Sequence, residues 1–201
     1  MSLNLERCIR INEQGIAKNG MQLHAISPDA TTAADVYRLL SYNYPKFFKM
    51  DELCKWAWLC AEVLLTETEG HLYDGLNKDN IAVVLATAHG CLETDKKYTT
   101  TISTIPSPAL FVYTLPNIML GEICIRHGFK GEQACLMQEG FDAEAIQFLV
   151  SDMLEQRGMD ACLCGWADVT ADKHELFFCW VTKHKKGIPF TADMMQQLMN
   201  S

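Results

Sequence analysis

Six consecutive apolar residues, Ile81-Ala82-Val83-Val84-Leu85-Ala86, constrain the fold of this chain more than any other stretch. The run is far below the roughly 20 residues a membrane span needs. Its branched side chains and the turn at Gly90 fit a β-strand covered on both faces. A strand of that kind requires a layer of structure on each side, and two segments offer one. Between Lys49 and Thr66, Met50, Leu53, Cys54, Ala57, Cys60, Ala61, Leu64 and Leu65 recur at helical spacing, with Asp51, Glu52, Lys55 and Glu62 between them. This is the pattern of an amphipathic helix with one buried face. From Asp142 to Arg157, Ala145, Ile146, Leu149, Val150, Met153 and Leu154 form a second stripe, and Gly158 is a natural terminator.

Other elements follow the same logic. Ala161 to Cys164 and Glu175 to Lys183 read as further strands, and the segment Arg7 to Ala17 as holding a first one. Thr31 or Thr32 is suited to cap a short helix running through Leu40. The segment Glu93 to Thr104 is polar, the prolines at 106, 108 and 116 bar a long regular element there, and Ile118 to His127 reads as a helix stopped at Gly128. Helices alternating with buried strands imply an α/β domain, a mixed sheet flanked by helices. At 201 residues and 49% apolar, one domain over 1–201 has enough material for a sizeable core.

Charge excludes several partners. With 17 basic against 25 acidic residues the net charge is -8, which argues against nucleic acid and against an anionic membrane surface. Lys96-Lys97 and Lys183 to Lys186 read as solvated ends of elements. Met1 to Gln14 builds no signal-peptide run, so a soluble, cytoplasmic protein is expected. The nine cysteines are odd in number, scattered and mostly set in apolar segments, as expected of reduced, buried thiols. Cys162 and Cys164 lack the second half-site that zinc would want. No metal and no cofactor is expected.

Ser107-Pro108-Ala109-Leu110-Phe111-Val112-Tyr113-Thr114-Leu115-Pro116-Asn117, followed by Gly121 to Gly131, resembles the segment ahead of the nucleophile in β-ketoacyl synthases, the condensing enzymes of fatty-acid and polyketide assembly. Tyr44 to Asp51, Ile81 to Gly90 and Asp160 to Asp168 are similar to further segments of that family, in order. In the last of these Trp166 stands where the family's Ala-Gly-Gly signature has its second glycine. The resemblance covers roughly residues 44 to 182 and implies the N-terminal half of the thiolase-like fold. It also implies dimerisation through Gln133 to Gln138 and the Leu115 to Ile125 region.

Ungapped alignment to the family places Gly140 at the position of the nucleophilic cysteine, with Glu139 just before it. Glycine has no side chain to carry an acyl thioester. Cys135 is the alternative nucleophile, and His89 or His127 the alternative base. The family's two catalytic histidines belong to a C-terminal half, and His174 and His184 read here as exposed ends of a strand. The resemblance therefore implies a non-condensing partner or chain-length-factor-like subunit, forming a homodimer or a heterodimer with a full-length ketosynthase and meeting an acyl carrier protein. A residual acyltransferase using Cys135 is the second reading. The third is an acyl-binding or scaffold homodimer, in which half of a two-half fold leaves an apolar face exposed.

Overall fold

The computed structural model describes residues 2–25, 32–103, 105–184 and 186–201. Strands β1 (Asn4–Asn12), β2 (Gly15–Lys18), β3 (Met21–Ala25), β4 (Ile81–Thr87), β5 (Gln133–Met137), β6 (Ala161–Val169), β7 (His174–Thr182) and β8 (Ile188–Pro189) form one mixed sheet. Its order is β3-β2-β1-β7-β6-β4-β5, with β8 beside the start of β1. β4 pairs in parallel with both β5 and β6, and the pairings from β6 through β7 and β1 to β3 are antiparallel.

Every residue of β4 is buried, as its apolar run requires. Ile81, Val83 and Leu85 point to one face of the sheet, and Ala82, Val84 and Ala86 to the other. The first face is covered by α2 (Glu52–Leu65), α5 (Ile118–His127) and, over α2, α1 (Ala33–Leu39). The second face is covered by α6 (Ala143–Glu155) and α7 (Ala192–Asn200). Small side chains there, Ala82, Ala86, Cys162 and Cys164, let α6 lie close to the strands.

Gly165 on β6 has φ +150, and a Cβ there would stand 1.9 Å from the Phe177 carbonyl oxygen of β7, so no larger residue fits without moving a strand. Thr32 caps α1 with a reciprocal capping box to Asp35. Thr31, the other expected cap, lies outside the described residues. Gly128 ends α5 at φ +76, in the left-handed conformation that glycine adopts without steric cost.

Several expectations need correction. Arg7 to Ala17 holds part of the first strand, β1, as expected, but also the turn into β2. The helix expected over Lys49 to Thr66 begins at Glu52, after a 3-10 turn at Pro45–Lys49, and it is buried on nearly every side. The polar segment after Glu93 is helix α3 (Leu92–Ile102). Its threonines fit because their hydroxyls donate to preceding carbonyls, Thr99 to Asp95 at 2.8 Å and Thr100 to Lys97 at 2.8 Å. A short helix α4 (Pro108–Val112) follows, started by the proline that bars a longer one.

The outward positions of α6, Glu144, Gln147, Ser151, Asp152 and Glu155, are polar, with Phe148 the exception. Exposed apolar side chains include Ile105, Phe111, Val112 and Leu115 in and around α4 and Met137 at the end of β5, and also Met21, Leu39, Phe48, Ile102 and Ile125 on other elements.

Candidate functional site

Because β4, β5 and β6 run parallel, their C-terminal ends meet along one rim, where open α/β sheets gather functional groups. Thr87 closes β4, and its buried hydroxyl donates to Asp168 Oδ1 at 3.1 Å while accepting the Gly90 N–H at 3.1 Å. The same carboxylate oxygen accepts the N–H groups of Ala88 (3.1 Å) and His89 (2.9 Å), and Oδ2 lies 2.7 Å from His89 Nδ1. Burial works against the Asp168 charge, but the hydrogen bonds from His89 and Ala88 outweigh it and hold the carboxyl below its ordinary range. The Asp168 carboxylate thus holds the half-exposed His89 ring through Nδ1.

The β5–α6 turn lies alongside. Gln138 N–H donates to the Thr87 carbonyl at 3.1 Å, and a Cβ on Gly90 would touch both Met137 of β5 and Pro116. Glu139 and Gly140 come next, both exposed, and nothing stands within 4 Å of where a Gly140 Cβ would be. Asp142 then caps α6 by accepting the Ala145 N–H at 3.0 Å.

Cys135 is half-buried on β5 opposite Leu85, packed against the α2 side of the core. Burial pushes its thiol up to about 11, and burial followed by the charges of Asp51 and Asp95 pushes Cys91 up to about 12. Both are therefore protonated at neutral pH, and a protonated thiol is a poor nucleophile. Among the described residues no hydrogen bond or ion pair joins Cys135 to His89 or His127.

His127 belongs to the core beneath α2. Its Nδ1 lies 3.1 Å from Tyr73 Oη, and Nε2 is 3.4 Å from Glu62 Oε1 without hydrogen-bond alignment. Burial first, then the Arg126 charge, drives its pKa down to about 3, so the ring is neutral. His174 is a correction: it is a buried residue, stacked on Trp56 with ring centroids 3.9 Å apart. His184 is exposed as expected. Asp168 and Thr87, which build the rim, carried no expected role. Their signal was a polar residue at the end of each of two apolar strands.

No protein-family model matches this sequence, and no curated protein does. Solved structures match in fold. The ishigamide ketosynthase/chain length factor superposes with a TM-score of 0.66 at 14% identity, over 94% of this chain and 64% of that one. The chain has a ketosynthase/chain length factor fold.

A chain from the complex of the ketosynthase ApeO with its chain length factor ApeC from Xenorhabdus doucetiae superposes with a TM-score of 0.61 at 12% identity. That match covers all of this chain and 91% of the other. A type II polyketide synthase acyl-carrier protein in complex with its ketosynthase, AntDE:AntF, gives 0.63 at 11% identity, over 92% of this chain and 63% of the other. The protein thus spans less than two thirds of two of these ketosynthase-like chains and nearly the whole of the third. The expected α/β class, a mixed sheet flanked by helices, is what the molecule has.

Proposed function

We propose that this ketosynthase-like chain is a non-condensing, chain-length-factor-like partner of a full-length ketosynthase in fatty-acid or polyketide assembly. The observation that carries this reading is the β5–α6 turn. At the turn to which ungapped alignment to the family assigns the cysteine, Glu139 and Gly140 stand in solvent, and burial raises the pKa of Cys135, the thiol on the preceding strand. Without a thiolate no acyl chain is held as a thioester, and condensation has no donor.

The partner half of the proposal is supported by the sheet edge. β5 pairs on one side only and ends at Met137, which is 59% exposed, and Phe111 and Leu115, in and just after α4, are 53% and 49% exposed. An unpaired strand edge and exposed apolar side chains favour docking to another polypeptide. Ketosynthase–chain length factor and ketosynthase–acyl carrier protein complexes among the similar structures support a ketosynthase and an acyl carrier protein as partners.

Light scattering on the purified chain mixed with a full-length ketosynthase tests this, and a one-to-one complex is expected. The double variant Phe111→Asp/Leu115→Asp changes only exposed residues and should weaken that complex by about 100-fold or more. Incubation with acyl-CoA, read by intact-mass spectrometry, should leave the chain unmodified. An acyl adduct on Cys135 would establish the acyltransferase reading instead, and a stable homodimer indifferent to the ketosynthase would establish the scaffold reading.

A further inference from the structure

We propose that a cavity between the β1–β2 hairpin and the end of α7 binds a small organic monocarboxylate through Arg10. The register of the sheet builds it. Arg10 lies directly across from Ala17 on β2 and Phe177 on β7, and Asn12 from Gly15, so these side chains share one face. Gly15 and Ala17 are too small to fill the space beside the guanidinium. Leu198 and Ser201 of the α7 end close the other side, leaving a cavity of about 260 Å³.

Arg10 is the one charged side chain among the described residues that line this cavity, and Gln14, Gln22 and Ser201 add polar groups around it. Its Nε is shut off from solvent and bonds to no acceptor, and no carboxylate pairs with the guanidinium among the described residues. A buried donor without an acceptor destabilises a fold, and a planar guanidinium is shaped to receive a carboxylate through two parallel hydrogen bonds.

The charge of the occupant follows from the surroundings. A single guanidinium balances one negative charge, and the C-terminal end of α7 carries partial negative charge that penalises a dianion more than a monoanion. Phe177 and Leu198 supply an apolar wall, so the fitting ligand is a carboxylate with a short hydrocarbon tail instead of a phosphate. The volume lies just below the usual range for ligand pockets, which excludes a long chain lying fully inside.

The test uses the whole chain with sodium hexanoate as probe, and hexanol and inorganic phosphate as controls, read by calorimetric titration and thermal melting. Hexanoate should bind saturably and raise the melting temperature, while hexanol and phosphate bind much more weakly. Arg10→Lys keeps the charge but loses the fork and should weaken hexanoate about ten- to hundred-fold. Ala17→Leu leaves Arg10 in place, fills the cavity and should block binding, with circular dichroism confirming that the variant is folded. Absence of saturable hexanoate binding to the unaltered chain, or unchanged affinity in folded Arg10→Lys and Ala17→Leu variants, would overturn the proposal. Neither result depends on assembly with a ketosynthase.

Discussion

The two principal helices of the domain, α2 and α6, cover opposite faces of the same strands and finish those faces in opposite ways. α2 is wrapped on almost every side. Trp58 stacks on Tyr44 with centroids 5.3 Å apart and planes 4° apart, and it meets Phe47 and Tyr42 at steeper angles. Its one interior charge, Glu62, is 2% exposed and receives Arg126 through two contacts of 2.6 and 3.1 Å, while the guanidinium lies over the Tyr44 and Trp58 rings. α6 buries Ile146, Val150, Met153 and Leu154 and turns a polar side to water. The difference teaches where the molecule still has a surface to complete. α2 itself is closed by aromatic packing and α6 by polar residues, and exposed apolar side chains stand elsewhere, among them Met137 at the end of β5 and Phe111 and Leu115 in and after α4.

The sharpest way to break this contrast is to open the α2 layer. Arg126→Ala strands a fully buried carboxylate and should cost about 3–5 kcal/mol, the range for removing one partner of a buried pair. Glu62→Ala should cost less, about 1–2 kcal/mol, because the Arg126 side chain is 34% exposed and can recover water. Urea denaturation of both variants measures the asymmetry. Equal losses would mean that α2 is not sealed as described.

A weaker perturbation reaches the same layer through pH. His127 is faced by Arg126, Lys78, His71, Tyr73 and Glu62, and its pKa falls from 6.5 to about 3 on folding, mainly because it is buried. Between those values the unfolded chain binds a proton that the folded chain refuses, so stability is full above pH 6.5 and is lost as pH drops. The slope for one such group is at most about 1.4 kcal/mol per pH unit. Denaturation at pH 7, 6 and 5 should show this loss in the unaltered chain and a smaller one in His127→Gln. Parallel curves for the two proteins would mean that His127 is solvated.

How far the sequence carries the fold can be judged from the same two helices. The α6 stripe was legible because its polar and apolar residues alternate at helical period, and the sheet core was legible because Ile81 to Ala86 leaves no exposed face. α2 departs from its amphipathic pattern because the run Trp56-Ala57-Trp58-Leu59-Cys60-Ala61 has no polar side at all. Glu62, read as a surface residue, owes its position to an arginine 64 residues away, and no local pattern encodes that distance. At the rim, His89 was singled out as a turn residue, but the Asp168 that holds it comes from another strand 79 residues on. The polar side of α6 is legible from the same period, whereas the exposure of Phe148 on that side is shown only by the burial of each position.

Phe148 therefore gives the finest test of the contrast, and the smallest expected effect. The ring is 77% exposed and surrounded by Glu144, Gln147, Ser151, Asp152 and Glu155. Little apolar surface leaves water there on folding, so Phe148→Ser should shift stability by no more than about 0.5 kcal/mol. If the partner surface is confined to the β5 edge, this variant also binds a ketosynthase as the unaltered chain does, while Phe111→Asp/Leu115→Asp fails to. Titration of each variant against the same ketosynthase separates the two surfaces. A loss of affinity in Phe148→Ser comparable to that of the double variant would place α6 inside an interface, and its polar side would then be the rim around a single anchoring ring.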